Sequence, residues 1–153
     1  MQMDGNTILT DPVFSRRASP LPFAGPVRKT PPALSVEQLT QLDAVVISHN
    51  HYDHLDDATI RRILKRFPDV MLFVPLGLAD WFRRRGARRI VELDWWQSFT
   101  WQGITLSAVP AQHWSMRTLW NRNRSLWCGW VFEGRHHRFW LSGDTGYSPE
   151  LLR

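Results

Sequence analysis

Ser48-His49-Asn50-His51-Tyr52-Asp53-His54-Leu55-Asp56 sets three imidazoles and two carboxylates within eight residues. Ahead of it runs Asp43-Ala44-Val45-Val46-Ile47, an apolar stretch of strand length. Behind it, Ile60, Ile63, Leu64 and Phe67 recur at helical spacing, and Asp56 and Asp57 sit where a helix's first turn favours negative charge. The reading is a buried strand, a turn rich in metal ligands, and a helix. The C-terminal end of a strand is where open α/β folds place their chemistry. His49 and His51 are two residues apart, so in extended backbone both rings leave on the same side and can hold one cation between them. Asp53 and His54 come as the chain turns and point elsewhere, so one strand end can feed two neighbouring metal positions. Imidazole with carboxylate suits zinc, and also iron or manganese. A solvated, His-rich turn is the plain alternative, and the density of the cluster speaks against it.

Outward from this turn, strands are expected at Thr7–Thr10, Val70–Val74 and Ile90–Leu93. Helices are expected from about Asp57 to Phe67, ending at Pro68, and over Leu78–Arg85, stopped by Gly86. A short helical segment opens at Ser35, where Ser35 and Gln38 have capping-box spacing. Ser98–Trp101 and Ile104–Val109 flank Gln102-Gly103 as a hairpin, and Ser125–Glu133 and His137–Ser142 pair around Gly134. A last helix begins at Ser148-Pro149-Glu150. Residues 12–34 hold six of the ten prolines and read as one long loop. Asp11, before Pro12, reads equally as a turn cap and as a group orienting a histidine. His136 and His137 fall at a hairpin turn and read as solvated.

Three further phrases extend the pattern: Ile8-Leu9-Thr10-Asp11-Pro12-Val13-Phe14-Ser15, Pro110-Ala111-Gln112-His113-Trp114, and Ser142-Gly143-Asp144-Thr145-Gly146-Tyr147. His49-x-His51-x-Asp53-His54 resembles the metal motif of the metallo-β-lactamase superfamily. The other phrases resemble its branch containing N-acylphosphatidylethanolamine-hydrolysing phospholipase D and the ascorbate-6-phosphate lactonase-like hydrolases. The resemblance implies an αββα fold, a β-sandwich of two sheets flanked by helices. Residues 1–153 would form a single, incomplete domain of that fold, its N-terminal portion. The family's opening Gly-His strand is expected upstream, and its last metal-binding histidine from a second half.

The resemblance also implies roles. His49, His51 and His113 hold one divalent ion, Asp53 and His54 hold a second, and Asp144 bridges the two. Asp53 and Asp144 stand as the catalytic carboxylates, and Tyr52, Met116 and Arg117 lie near substrate. Two zinc ions are the implied cofactors, with iron or manganese as substitutes. The implied activity is hydrolysis of a phosphodiester such as an N-acylphosphatidylethanolamine. A lactonase uses the same ligands. The alternative is a non-catalytic relative that binds metal and an anionic ligand.

The chain carries a formal charge of +5, from seventeen Arg and two Lys against fourteen acidic residues. Such a balance suits an anionic substrate or membrane surface. The arginine runs at 83–85 and 88–89 read as the wet face of a helix rather than a nucleic-acid site. The loop from Trp114 to Trp127 mixes apolar and cationic side chains, which a phosphorylated amphiphile needs together. The expected partners are therefore a small molecule or phospholipid, peripheral contact with a membrane, and a second copy of the chain covering apolar surface that a partial fold leaves open. Cys128 is the single cysteine, so no intrachain disulfide forms. No apolar run approaches the length of a membrane span, and no signal-peptide pattern follows Met1, so cytoplasm is the expected location.

Overall fold

The computed structural model describes residues 1–21 and 23–149. The chain reaches its ligand turn through parallel strands. β1 (Gln2–Met3) and β2 (Asn6–Thr10) form a tight antiparallel pair. β2 then lies parallel to β3 (Ala44–Val46), β3 to β4 (Met71–Pro75), and β4 to β5 (Arg89–Leu93). The sheet order is β1-β2-β3-β4-β5. The near-continuous apolar composition of β3 and β4 marks strands buried on both faces. Ala44, Val46, Met71 and Phe73 point into the sandwich core. Val45, Ile47, Leu72 and Val74 point the other way, onto helix α1 (Asp57–Arg66) and helix α2 (Ala79–Arg83).

The second sheet is antiparallel, in the order β6 (Ser98–Trp101), β7 (Ile104–Val109), β8 (Gly129–Glu133), β9 (Arg138–Leu141). Its inner face supplies Trp101, Ile104, Leu106, Ala108, Trp130 and Phe132 to the same core. Its outer face carries cross-strand hydroxyl pairs, Ser98 with Ser107 at 2.7 Å and Thr100 with Thr105 at 2.9 Å. Trp140 and Arg138 are exposed there. Among the described residues the layers are therefore helices, sheet, sheet, as in the αββα sandwich with one outer layer not represented.

The expected elements are present with small changes at their ends. Sequence patterning missed the two-residue β1. The strand expected from Ser125 starts only at Gly129, because residues 126 and 128 turn to the first sheet's loops: Leu126 N–H donates to Leu76 O (2.7 Å) and Cys128 N–H to Ser48 O (2.9 Å). Helix α2 ends at Arg83 rather than Arg85, and the chain leaves it through Gly86 at φ +91°. The short helix near Ser35 is a 3₁₀ turn, Val36–Gln38, with Gln38 Oε1 accepting from Ser35 N–H at 2.8 Å. The helix expected from Ser148 falls for its greater part outside the described residues.

The proline-rich loop folds back on itself. Arg28 N–H donates to Arg16 O (2.8 Å), and the Arg28 guanidinium donates to Val13 O (2.5 Å). Two bonds tie its start to α1, Phe14 N–H to Thr59 Oγ1 and Ser15 N–H to Asp56 Oδ2, both 2.9 Å. Cys128 lies in the sandwich core at 2% exposure, and burial, aided by the charge of Asp11, raises its thiol pKa well above the usual range. Its thiolate fraction is accordingly negligible at neutral pH. Iodoacetamide should label it only as fast as the chain unfolds, so urea should accelerate labelling in step with loss of far-UV circular dichroism. Rapid labelling of the folded chain would contradict this packing.

Candidate metal centre

Three strand ends and the tip of β2 meet at one edge of the sandwich. The ligand turn follows β3, His113 follows β7, and Asp144 follows β9. They are stitched together by hydrogen bonds to backbone. Asp11 N–H donates to Val46 O (2.9 Å), and Trp130 Nε1–H donates to Ile47 O (2.8 Å). Gly146 N–H donates to Gln112 O (2.8 Å), and Gln112 N–H donates to Thr145 Oγ1 (3.0 Å). Gly143 makes a close approach. At φ +58° a side chain there would set its Cβ 2.7 Å from Ser48 Cβ, so the absence of one lets the Asp144 loop rest on the ligand turn.

The three histidines converge. His49 Nε2 lies 2.9 Å from His51 Nδ1, and His113 Nε2 lies 3.2 Å from each of them. Their rings stand nearly perpendicular to one another. Proton accounting shows which nitrogens are bare. The Asp11 carboxylate only accepts, and it takes both the Ser48 N–H (2.7 Å) and the Ser48 hydroxyl proton (2.6 Å). Ser48 Oγ must then accept from His49 Nδ1–H at 2.9 Å, which leaves the His49 Nε2 lone pair facing the other two rings. Three nitrogens around a tetrahedral zinc, each about 2.0–2.1 Å from it, stand roughly 3.3 Å apart. The observed triangle of nitrogens has that size, so the residues present fit a divalent ion.

Beside it lies a second group. His54 Nδ1 donates to Asp11 Oδ2 at 2.8 Å, and His54 Nε2 faces Asp144 Oδ1 at 3.1 Å. His49, His54 and Asp144 could together hold an ion, as could His49, His51 and His113. Asp11 thus orients two histidines, one through Ser48 and one directly, and the orienting reading of this residue is the one the structure supports.

The electrostatics differ sharply within the cluster. Burial, then repulsion from His54, His51 and His113, lowers the His49 pKa to about 2. Burial and the neighbouring His113 lower His51 as well, so both offer neutral, ligating nitrogens at physiological pH. Burial works in the same direction on His54, but the hydrogen bond and charge of Asp11, with Asp144 and Asp53 behind them, outweigh it and raise its pKa.

Asp53 does not join either group. The turn places it outward while His54 turns in toward Asp11: His54 N–H and Leu55 N–H both donate to His51 O, so residues 53 and 54 diverge. Its exposed carboxylate lines the cavity beside His51. That cavity, about 800 Å³, is lined by His51, Tyr52, Asp53, Trp114, Met116 and Leu119 among others. All three expected substrate residues, Tyr52, Met116 and Arg117, border it. His136 and His137 are exposed at the β8–β9 turn, as expected of solvated residues. Sequence reasoning missed Ser48, whose bond to Asp11 is visible only once residues 37 apart meet. It also missed Asn50, buried and donating to Ser125 Oγ at 2.9 Å.

The model of the Beta-lactamase superfamily domain matches residues 6–153. The chain belongs to the metallo-β-lactamase superfamily. It is 42% identical to N-acyl-phosphatidylethanolamine-hydrolyzing phospholipase D 1 of Caenorhabditis elegans, over 96% of this chain and 44% of that protein. It is 46% identical to an uncharacterized protein of Mycobacterium tuberculosis, over 100% of this chain and 41% of that one. Among solved structures it resembles a possible metal-dependent hydrolase of Veillonella parvula, at 23% identity and a TM-score of 0.77, over 99% of this chain and 61% of that one. The chain thus spans about two fifths of the length of these curated relatives. The metallo-β-lactamase sandwich accounts for the two facing sheets and for a site built at their common edge.

Proposed function

We propose that the chain carries the ion-holding part of a metal-dependent phosphodiesterase whose substrate is an N-acylphosphatidylethanolamine or a similar phosphorylated amphiphile. The observation that carries this reading is the placement of the His49–His51–His113 triangle against an apolar cavity large enough for an acyl chain. Divalent ions held there would polarise the phosphoryl group and lower the pKa of water toward about 7. His49, His51 and His113 would hold one ion, and His54 with Asp144 a second, with Asp144 between them. Asp53, facing the cavity, would take up and return a proton. Met116, Tyr52 and Trp114 would wall the acyl chain and keep bulk water from the reacting phosphate. The relationship to the C. elegans phospholipase D supports this substrate class.

The surroundings suit a lipid. Leu119 and Trp120, each 82% exposed, offer apolar contact for a membrane close in sequence to Arg122 and Arg124. Several arginines of α1, of α2 and of the turn after α2 are otherwise engaged. Arg83 pairs with Asp80, Arg62 with Glu37, and Arg61 and Arg85 with Asp57. No helix among the described residues is long and apolar enough to cross a membrane.

One observation favours a second reading, a chain that binds a single ion without turnover. The two groups share His49, so one complete set of three histidines and one partial set are present among the described residues. The test is metal content together with hydrolysis. The chain, loaded with zinc, iron or manganese, is incubated with N-acylphosphatidylethanolamine vesicles and with bis(p-nitrophenyl) phosphate. The phosphodiesterase reading expects two ions and release of N-acylethanolamine that a chelator stops and that Asp144→Asn abolishes. One ion and no product from either compound would reject it in favour of binding alone.

A further inference from the structure

Arg117 is a cation pointed at backbone. Its Nη1 donates to Asn50 O at 3.1 Å and to Leu55 O at 2.6 Å, the two carbonyls that bracket His51, Tyr52, Asp53 and His54. The grip is returned: Tyr52 Oη–H donates to Arg117 O at 2.7 Å. The guanidinium also lies 4.2 Å from the centre of the Tyr52 ring and 5.1 Å from that of Trp81, whose ring takes Arg85 at 3.4 Å. Arg117 itself is fixed by Asn121, whose Oδ1 accepts from Arg117 N–H at 2.8 Å. The residue therefore joins the loop that follows His113 to the turn that holds the other histidines.

We propose that Arg117 is a positioning residue for the ion-holding turn, not a binder of the substrate's phosphate. A phosphate claiming Nη1 would have to displace two backbone carbonyls from it. With the clamp in place, the turn has one conformation in which His49 and His51 meet His113. Without it, the turn and the loop after His113 lose both carbonyl bonds and keep the bond from Tyr52 to the Arg117 carbonyl, so the ring nitrogens are held less firmly at one point. Outer partners that orient ligands in this way are worth about 10–100-fold in metal affinity.

This inference rests on the metal reading above, and the experiment separates the two. Cobalt(II) binding to the full chain is measured by absorption and by chelator competition for the unsubstituted protein, Arg117→Met and Arg117→Lys. Inorganic phosphate binding is measured alongside. Arg117→Met is expected to weaken cobalt binding about 10–100-fold and to alter the ligand-field spectrum. Arg117→Lys, whose stem stops short of the guanidinium's reach, should fall in between, with phosphate binding unchanged in both. Wild-type cobalt affinity and spectrum in Arg117→Met would overturn the assignment, above all with phosphate binding lost. Should circular dichroism show Arg117→Met unfolded, the same outcome in Arg117→Lys decides. Failure of the unsubstituted chain to bind cobalt would remove the metal reading, and this inference with it.

Discussion

Replacing His49 by Ala should leave the chain unable to retain zinc or cobalt through gel filtration, while its far-UV circular dichroism stays that of the folded protein. His49 is the residue common to both ligand groups. Its Nε2 lies 2.9 Å from His51 Nδ1, 3.2 Å from His113 Nε2 and 3.9 Å from Asp144 Oδ2. Its one bare nitrogen can serve either group, so removing it leaves two donors in each. The loss should exceed the roughly 10–100-fold that an outer partner costs, because a donor nitrogen is deleted and not merely released to rotate. Replacing His137, exposed on the β8–β9 turn, supplies the control and should change nothing. If His49→Ala keeps a stoichiometric ion with unchanged affinity, the triangle of imidazoles is a packed cluster of neutral histidines and the metal reading fails. The fold is expected to survive, since the strand leading to His49 is held by Val45, Val46 and Ile47, all fully buried.

The part of this centre that could be read from sequence is the part encoded locally. His49 and His51 share a side because they are two apart, and Pro68 and Gly86 stop the helices that follow the ligand turn and β4. His113 and Asp144 came from phrases whose meaning lies in a family likeness, not in spacing. Arg117 shows the limit in the other direction. A cation in an apolar loop beside a candidate phosphate site reads as a phosphate ligand, yet its bonds are to carbonyls 62 and 67 residues away in sequence. Asp53 is similar. Adjacent to His54, it reads as a second ligand, and only the folded chain shows that the two side chains part, His54 bonding Asp11 while Asp53 lines the cavity. The roles of Ser48 and Asp11 are set by proton donors and acceptors that meet in three dimensions, with no periodicity to announce them. Likewise the proline-rich stretch is legible as a loop, but its attachment to Thr59 and Asp56 is not, since these contacts span more than forty residues.

Trp130→Ala should be the most damaging single core substitution, and its effect should reach the ligand turn. The indole is fully buried on β8, with Phe73 of the opposite sheet at 6.5 Å between ring centres. Its Nε1–H supplies Ile47 O with a donor, one residue before Ser48. Truncation to alanine costs about 3–5 kcal/mol for the lost burial and cavity. A buried carbonyl left without its donor costs about 1–3 kcal/mol more. Against a total stability on the order of 5–15 kcal/mol, this leaves the variant marginal or unfolded. Trp130→Phe keeps most of the volume and removes only the hydrogen bond, so it should fold with the smaller of these penalties. For a chain of this size each kcal/mol lowers Tm by about 2–4 °C. The alanine variant, if it folds at all, should therefore melt more than about 8 °C below the unsubstituted protein, and the phenylalanine variant by several degrees. With nine tryptophans in the chain, loss of fluorescence cannot be assigned to one of them, so far-UV circular dichroism is the proper readout. Chelator competition on Trp130→Phe completes the test. Weakened ion binding in a folded variant would show that this bond across the sandwich fixes where the histidines stand. Equal melting of the alanine variant and the unsubstituted protein would mean that the two sheets do not share the core described here.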